Sequence, residues 1–265
     1  MPLFRLLRAS APLWLPPALA VAGLLALWEV TARAGLIPPF LLPAPSAVAA
    51  AALAVPAPQW LGHVWATLRI VLLGFAAAVA ISLPLAVAIS RFALFRRSIY
   101  PILLVIQSTP IVAIAPILVV TLGAGDLPRV VITAMIAFFP IVVGTSTGLL
   151  QCPDELIELS RSLGATTGRE YRQIRLPYAL PHLFSALRVA ITLAVIGAVV
   201  AEFVAADEGV GYFIRTSTAF FRIPLAFAGL ALLSVLTLAL FGLVGLVQRL
   251  FFPHSLAASD ARRSS

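Results

Sequence analysis

The sequence predicts an all-α polytopic membrane helix bundle with about six transmembrane helices, and three observations carry that prediction. Apolar residues make up 62% of the 265 residues and charged residues 11%, against about 25% charged in soluble domains. Several apolar runs exceed the roughly 20 residues that cross hydrocarbon as a helix. These runs are rich in Ala, Leu, Val and Ile without alternation, which argues against a transmembrane β-barrel.

The first span is expected from about Leu13 to Ala32. Arg5 and Arg8 before an apolar run, with Ala18-Leu19-Ala20 beyond, have the outline of a signal peptide. The run continues past Leu27, longer than the 7–15 residues of such an h-region, so an uncleaved span is expected. An outward connector follows, with Leu42-Pro43-Ala44-Pro45-Ser46 and a short helix that Ser46 is expected to cap. Spans two to four are expected over about Ala66–Ile89, Ile99–Leu122 and Val130–Leu150. Pro110 and Pro116 should kink the third, because proline removes a backbone donor. Spans five and six are expected over about Leu180–Val204 and Leu225–Leu250. The segmentation is then 1–60 for N-terminal tail, first span and connector, 61–252 for the transmembrane domain, and 253–265 for a disordered tail.

All 18 basic residues are arginine. Most lie before span one, between spans two and three, between four and five, or after six: Arg5, Arg8, Arg91, Arg96, Arg97, Arg161, Arg169, Arg172, Arg175, Arg249, Arg262 and Arg263. The positive-inside bias therefore puts both termini in the cytoplasm. The arginines form no aromatic-interleaved stripe, so nucleic acid is not an expected partner. Cys152 is the single cysteine, which excludes an internal disulfide. His63 and His254 have no Cys, His or acidic partner at ligand spacing and His182, after Pro181, is expected to be an interfacial residue, so no metal site is expected.

Residues 153–177 form a charged island on the cytoplasmic side, too polar for lipid. Pro153-Asp154-Glu155 reads as a helix start and Gly164 as its stop. Thr167-Gly168-Arg169-Glu170 has the T-x-x-E form of a capping box, and the second helix should end before Pro177. The product is a helix–turn–helix with Glu158 and Arg161 one turn apart. Capping alone fits a loop that merely joins two spans.

The full spacing adds to this. Glu158-Leu159-Ser160, three residues, Gly164, nine residues and Ile174-Arg175-Leu176-Pro177 resemble the EAA loop of ATP-binding-cassette importer permeases. Leu42-Pro43-Ala44-Pro45-Ser46, Ala113-Ile114-Ala115-Pro116-Ile117, Phe138-Phe139-Pro140-Ile141, Leu176 to Pro181 leading to Arg188, Ala201-Glu202-Phe203 and Gly209-Val210-Gly211-Tyr212 resemble the nitrate/sulfonate/taurine branch. The resemblance covers about Trp28 to Phe251. It implies a cytoplasmic coupling helix in which Glu158, Leu159, Ser160, Arg161, Gly164 and Ala165 meet a partner ATPase. It also implies a permease homodimer in a bacterial inner membrane, two cytoplasmic ATPase subunits that bind ATP and Mg, and a periplasmic or surface-tethered solute-binding protein. The implied solute is a small anion such as a sulfonate, taurine or nitrate; pyrimidine-type vitamin precursors are the alternative within the branch.

Gln107, Ser108, Thr109, Arg188 and Glu202 are candidates for the pathway or a gate, since ionisable groups near membrane depth are functional candidates. Glu29 has the same standing; all three ionisable candidates lie near span ends, where snorkelling lowers their cost. An ion-gradient-driven transporter would need paired acids at mid-depth, and none is convincingly placed. Gly144-Thr145-Ser146-Thr147-Gly148 lacks the strand–turn–helix context and histidine base of a serine nucleophile. Small residues at that spacing let helices approach closely. For want of a nucleophile–base pair the chain is not expected to be an enzyme; with no G-x-x-x-x-G-K-[ST] loop and no lysine, ATP is expected on a partner, and no cofactor is expected on this chain.

Overall fold

The computed structural model describes residues 15–253. The expectations for Arg5, Arg8, Leu13, His254, Arg262, Arg263 and the C-terminal tail concern residues outside these, except that the tail's first residue, Pro253, is described. The described residues are helical without strands. They form two compact units, one from residues up to Gln59 together with Ile214–Ala231, the other from Trp60–Phe213 together with residues from Leu232 onward.

In the first unit, α1 (Leu15–Arg33) is apolar all round and buries none of its residues, as suits a helix solvated by lipid. Its polar end is closed by Glu29, which accepts from the Ser46 backbone N–H at 3.0 Å and from Ser46 Oγ at 2.7 Å, and pairs with Arg33 at 2.5 Å. The connector helix α2 (Pro45–Ala54) differs from expectation at its start. Ala44 is the cap residue and Pro45 occupies the first turn, where a missing N–H costs nothing and the fixed φ suits a helix. Ser46 therefore serves Glu29 and does not cap.

The second unit holds most of α3 (Ala57–Arg91), then α4 (Ala93–Ser108), α5 (Ile111–Leu122), α6 (Asp126–Leu150), α7 (Asp154–Ser162), α8 (Thr167–Glu170) and α9 (Leu176–Ala205). The last two are joined by a π-helical turn, Tyr171–Arg175. Helix α10 (Val210–Ala219), not foreseen from the sequence, and α11 (Ile223–Phe251) each run from one unit into the other.

Helices α6 and α9 are the packed centre. A Cβ placed on Gly144 would strike Ala186 Cβ, one on Gly148 would strike His182 Cβ, and one on Gly197 would meet the Thr133 backbone. The Gly144–Gly148 run thus does what small residues do in lipid, where close van der Waals contact replaces the hydrophobic drive. Around this pair, Ile89 of α3 and Leu103 of α4 bury against Val142, and Ala115 of α5 buries against Ile132 and Ala201.

Five helices are long and apolar enough to span a membrane, and the pair α4–α5 brings the number to six if it counts as one span. The kink expected at Pro110 within Ile99–Leu122 is present as a full break between α4 and α5. The chain breaks at Ser108–Pro110 and turns by 91°. Thr109 is extended, at φ −78° and ψ 127°, as a residue before proline prefers. Pro116 sits inside α5 without breaking it.

Candidate functional site

The charged island folds into two short helices joined by a turn at Gly164. Helix α7 begins after Pro153 with Asp154 and Glu155 in its first turn, where the positive end of the helix dipole favours them. It ends in a Schellman motif. Ala165 N–H donates to Ser160 C=O at 3.0 Å and Gly164 N–H to Arg161 C=O at 2.9 Å, with Gly164 at φ +75°. The start of α8 is one residue earlier than the motif suggested. Thr166, not Thr167, is the cap, and its Oγ1 accepts from Arg169 N–H at 3.4 Å.

Glu170 is consequently free of capping and does something the sequence reading missed. It is 2% exposed and bridges two arginines, accepting from Arg175 Nε at 2.7 Å and Arg161 Nε at 3.1 Å. Burial works against its charge, but the hydrogen bonds from Arg175 and Arg161 outweigh it and hold the carboxyl below its ordinary 4.5. Arg161 therefore turns to Glu170 and not to Glu158, one turn away. An acid with arginines nine residues before and five after was the available signal.

The second helix does not end before Pro177. It continues through the π turn into α9, giving an unbroken helical stretch from Thr167 to Ala205. Its 39 residues exceed the roughly 20 that hydrocarbon needs, so the polar first part stays outside. The π turn widens the helix just before the proline ring, and Leu176 N–H reaches back to Tyr171 C=O. The same turn aims Tyr171 and Arg175 at neighbouring helices. Tyr171 Oη lies 3.1 Å from Ser90 Oγ of α3, and Arg175 Nη1 donates to Leu149 C=O at the end of α6 at 3.3 Å. The element is thus tied to α3, α6 and α9 by named bonds.

Of the predicted coupling residues, Ser160 is buried, with its Oγ on Ile157 C=O at 2.9 Å, and Ala165 is half-buried. Glu158, Leu159, Arg161 and Gly164 are exposed. Helix α7 turns Ile157 inward and leaves Leu156, Leu159 and Leu163 at 43%, 56% and 79% exposure. These three leucines line a groove of about 550 Å³ completed by Ile174, Pro177 and Tyr178. Leu156, Leu159 and Leu163 thus give this charged segment an exposed apolar face.

The other candidates are not gathered with these. Glu202, near the far end of α9, is fully buried. It accepts from Thr67 Oγ1 at 2.7 Å and from Gly211 N–H at 2.6 Å, while Val210 N–H donates to Thr67 Oγ1 at 2.8 Å. Nearby, Arg69 pairs with Asp126 at 2.9 Å and Glu208 at 3.3 Å, and Arg129 pairs with Asp126 at 3.1 Å. His63 Nδ1 accepts from Gly209 N–H at 3.3 Å. Among the described residues no group of three metal-ligating side chains occurs. Gln107, Ser108 and Thr109 are exposed at the α4–α5 break, and both hydroxyls bond back to Val105 C=O, at 2.7 and 3.3 Å. Arg188 lies on α9, half-buried, donating to Gln248 Oε1 at 2.8 Å.

Comparison with known proteins assigns this arrangement. Residues 71–254 match the family described as binding-protein-dependent transport system inner membrane component. Formylaminopyrimidine transport permease protein ThiX of Halalkalibacterium halodurans is 33% identical over 239 residues, covering 90% of this chain and 95% of the relative. Riboflavin transport system permease protein RibX of Chloroflexus aurantiacus is 36% identical, covering 86% of this chain and 85% of the relative. Taurine transport system permease protein TauC of Escherichia coli is 28% identical, covering 87% and 86%. A chain of the inward-facing MetNI methionine ABC transporter superposes with a TM-score of 0.63 at 26% identity, covering 74% of this chain and 98% of that one. The chain belongs to the family of inner-membrane permease components of binding-protein-dependent ABC importers.

Proposed function

We propose that the α7–α8 element is the contact through which a separate ATPase drives this permease. The observation that carries the reading is the exposed leucine face of α7, mounted on a charge-locked turn that is bonded to α3, α6 and α9. Leu156, Leu159 and Leu163 provide a docking face, with Glu158 and Arg161 at its rim. The Arg161–Glu170–Arg175 cluster keeps the two short helices from tilting independently, so a push on α7 reaches the spans. Packed helices shift as bodies and do not deform continuously. ATP and Mg are held on the partner, since this chain has no P-loop of its own. Two copies of the permease form the pathway, both termini face the cytoplasm, and a binding protein delivers solute at the opposite face.

On solute, the relatives named for formylaminopyrimidine and riboflavin transport stand at 33% and 36% identity, and the taurine relative at 28%. That order favours a planar nitrogen heterocycle over the small anion that the sequence motifs first suggested. The test of coupling is Glu158→Arg in the assembled transporter. A coupling free energy of about 1–3 kcal/mol corresponds to about a 5- to 150-fold fall in uptake per ATP hydrolysed. Membrane insertion should be intact, and unchanged uptake would refute the docking role. Competition of uptake by an aminopyrimidine against taurine, measured with the cognate binding protein, decides the solute class.

A further inference from the structure

Arg188 and Arg249 share a pocket of about 310 Å³ between α9 and α11, lined also by Phe241, Gly242, Gly245 and Leu246. Its chemistry is one-sided. The Arg188 guanidinium lies 5.7 Å from the Phe241 ring centroid and makes one hydrogen bond, through Nη2, to Gln248 Oε1. Its Nε–H is buried and meets no acceptor. Among the described residues neither Arg188 nor Arg249 forms an ion pair, and no carboxylate lines the pocket. A cation withdrawn from water without a counter-charge is costly, and a guanidinium offers paired donors in the geometry that an oxyanion accepts.

The pocket is kept open by Gly245, where a Cβ would come within 3.2 Å of Arg188 Nη2. Nothing lies within 4 Å of a Cβ built on Gly242. Its depth is that of a membrane interface. Gln248 and Arg249 fall in the last turn of α11, and Phe252, just beyond it, meets Phe184 in a tilted ring contact at 5.3 Å. The surrounding α11 surface, Leu243, Leu246 and Leu250, is half or more exposed and apolar, as lipid-facing residues are. A phosphate at this level would have its acyl chains beside those leucines.

We propose that this pocket binds the phosphate of an anionic glycerophospholipid, held by Arg188 and Arg249 on the leaflet at the α7–α8 end of the molecule. Basic pockets between transmembrane helices are suited to lipid headgroups. The site does not depend on how α7 meets its partner, and it gives Arg188 a lipid-binding role in place of the pathway role that the sequence suggested.

The test uses the full-length permease purified in a neutral detergent. Native mass spectrometry after addition of phosphatidylglycerol should show one retained lipid per chain, and phosphatidylcholine should leave none at the same concentration. Gly245→Leu fills the pocket with its charges intact, and Arg249→Gln removes one charge from its exposed mouth; each should abolish or sharply reduce the retained phosphatidylglycerol. Thermal midpoints should follow the same pattern, rising with phosphatidylglycerol for the native sequence only. Equal retention of both lipids, or full retention by Gly245→Leu, would overturn the proposal. A midpoint shift produced by inorganic phosphate but not by phosphatidylglycerol would reassign the pocket to a free oxyanion and overturn the lipid assignment.

Discussion

A methyl group built on Gly211 lands against Glu202 Oε2, and one built on Gly209 lands on the same carboxyl. The two glycines, seven and nine residues beyond the glutamate, are therefore fitted to a buried acid across a turn, with Gly209 also at φ +112°. Gly211→Ala should destabilise the permease. In a Glu202→Ala background the added cost should shrink, giving an interaction energy of about 0.5–3 kcal/mol between contacting sites. Thermal unfolding of the two single variants and the double variant measures this, and strictly additive costs would contradict the packing account. Glu170 gives a second test at this scale. Its folded pKa is depressed, so its stabilisation is complete above the ordinary carboxylate value of 4.5 and is lost as pH falls through the folded value. The stability gap between the native sequence and Glu170→Gln should hold constant from neutral pH down to about 5 and close on further acidification. A gap that widened on acidification would show that the two arginines do not hold the carboxylate.

At the scale of the element, the turn between α7 and α8 depends on Gly164 in the left-handed region. Gly164→Ala should cost about 1 kcal/mol, the penalty for placing a side chain there. The loss should fall on this element, seen as faster proteolysis between Ser162 and Thr167 with the spans still protected. Unaltered cleavage would contradict the Schellman assignment. The helix start at Asp154 and the stop at Gly164 were legible because each rests on a local residue type: an acid in the first turn, a glycine after the last. The second cap was misplaced by one residue because Thr166 and Thr167 are chemically equivalent caps. What decides between them is Glu170, whose carboxyl is drawn inward by Arg161 and Arg175. The persistence of helix through Pro177 was illegible for a related reason. A proline ends a helix unless the preceding turn widens, and widening to a π turn here is rewarded by the Tyr171–Ser90 and Arg175–Leu149 bonds to other helices.

For the whole molecule, hydropathy was enough to place the spans, since lipid accepts only helices or closed barrels and run length tells the two apart. Hydropathy cannot see the 91° turn at Pro110, because both arms are equally apolar and proline is tolerated at Pro84, Pro116, Pro140 and Pro181 without a break. The site is distributed over the molecule in the same way. Helix α9 carries the α7–α8 linkage at its start and Glu202 near its far end, about 39 Å away for the 26 residue steps from Leu176 at about 1.5 Å each. The proposed coupling requires that a displacement at one end of this helix be delivered as a rigid-body shift to the other. If the leucine face of α7 meets an ATPase, a cross-linker carried on that face captures the ATPase. Burial pushes the Cys152 thiol up, so it reacts poorly, and Leu159→Cys supplies a single accessible site. A photoreactive maleimide placed there in native membranes should capture a P-loop ATPase, identified by the mass of the adduct. Capture of lipid alone, with the ATPase present in the same membranes, would contradict the account.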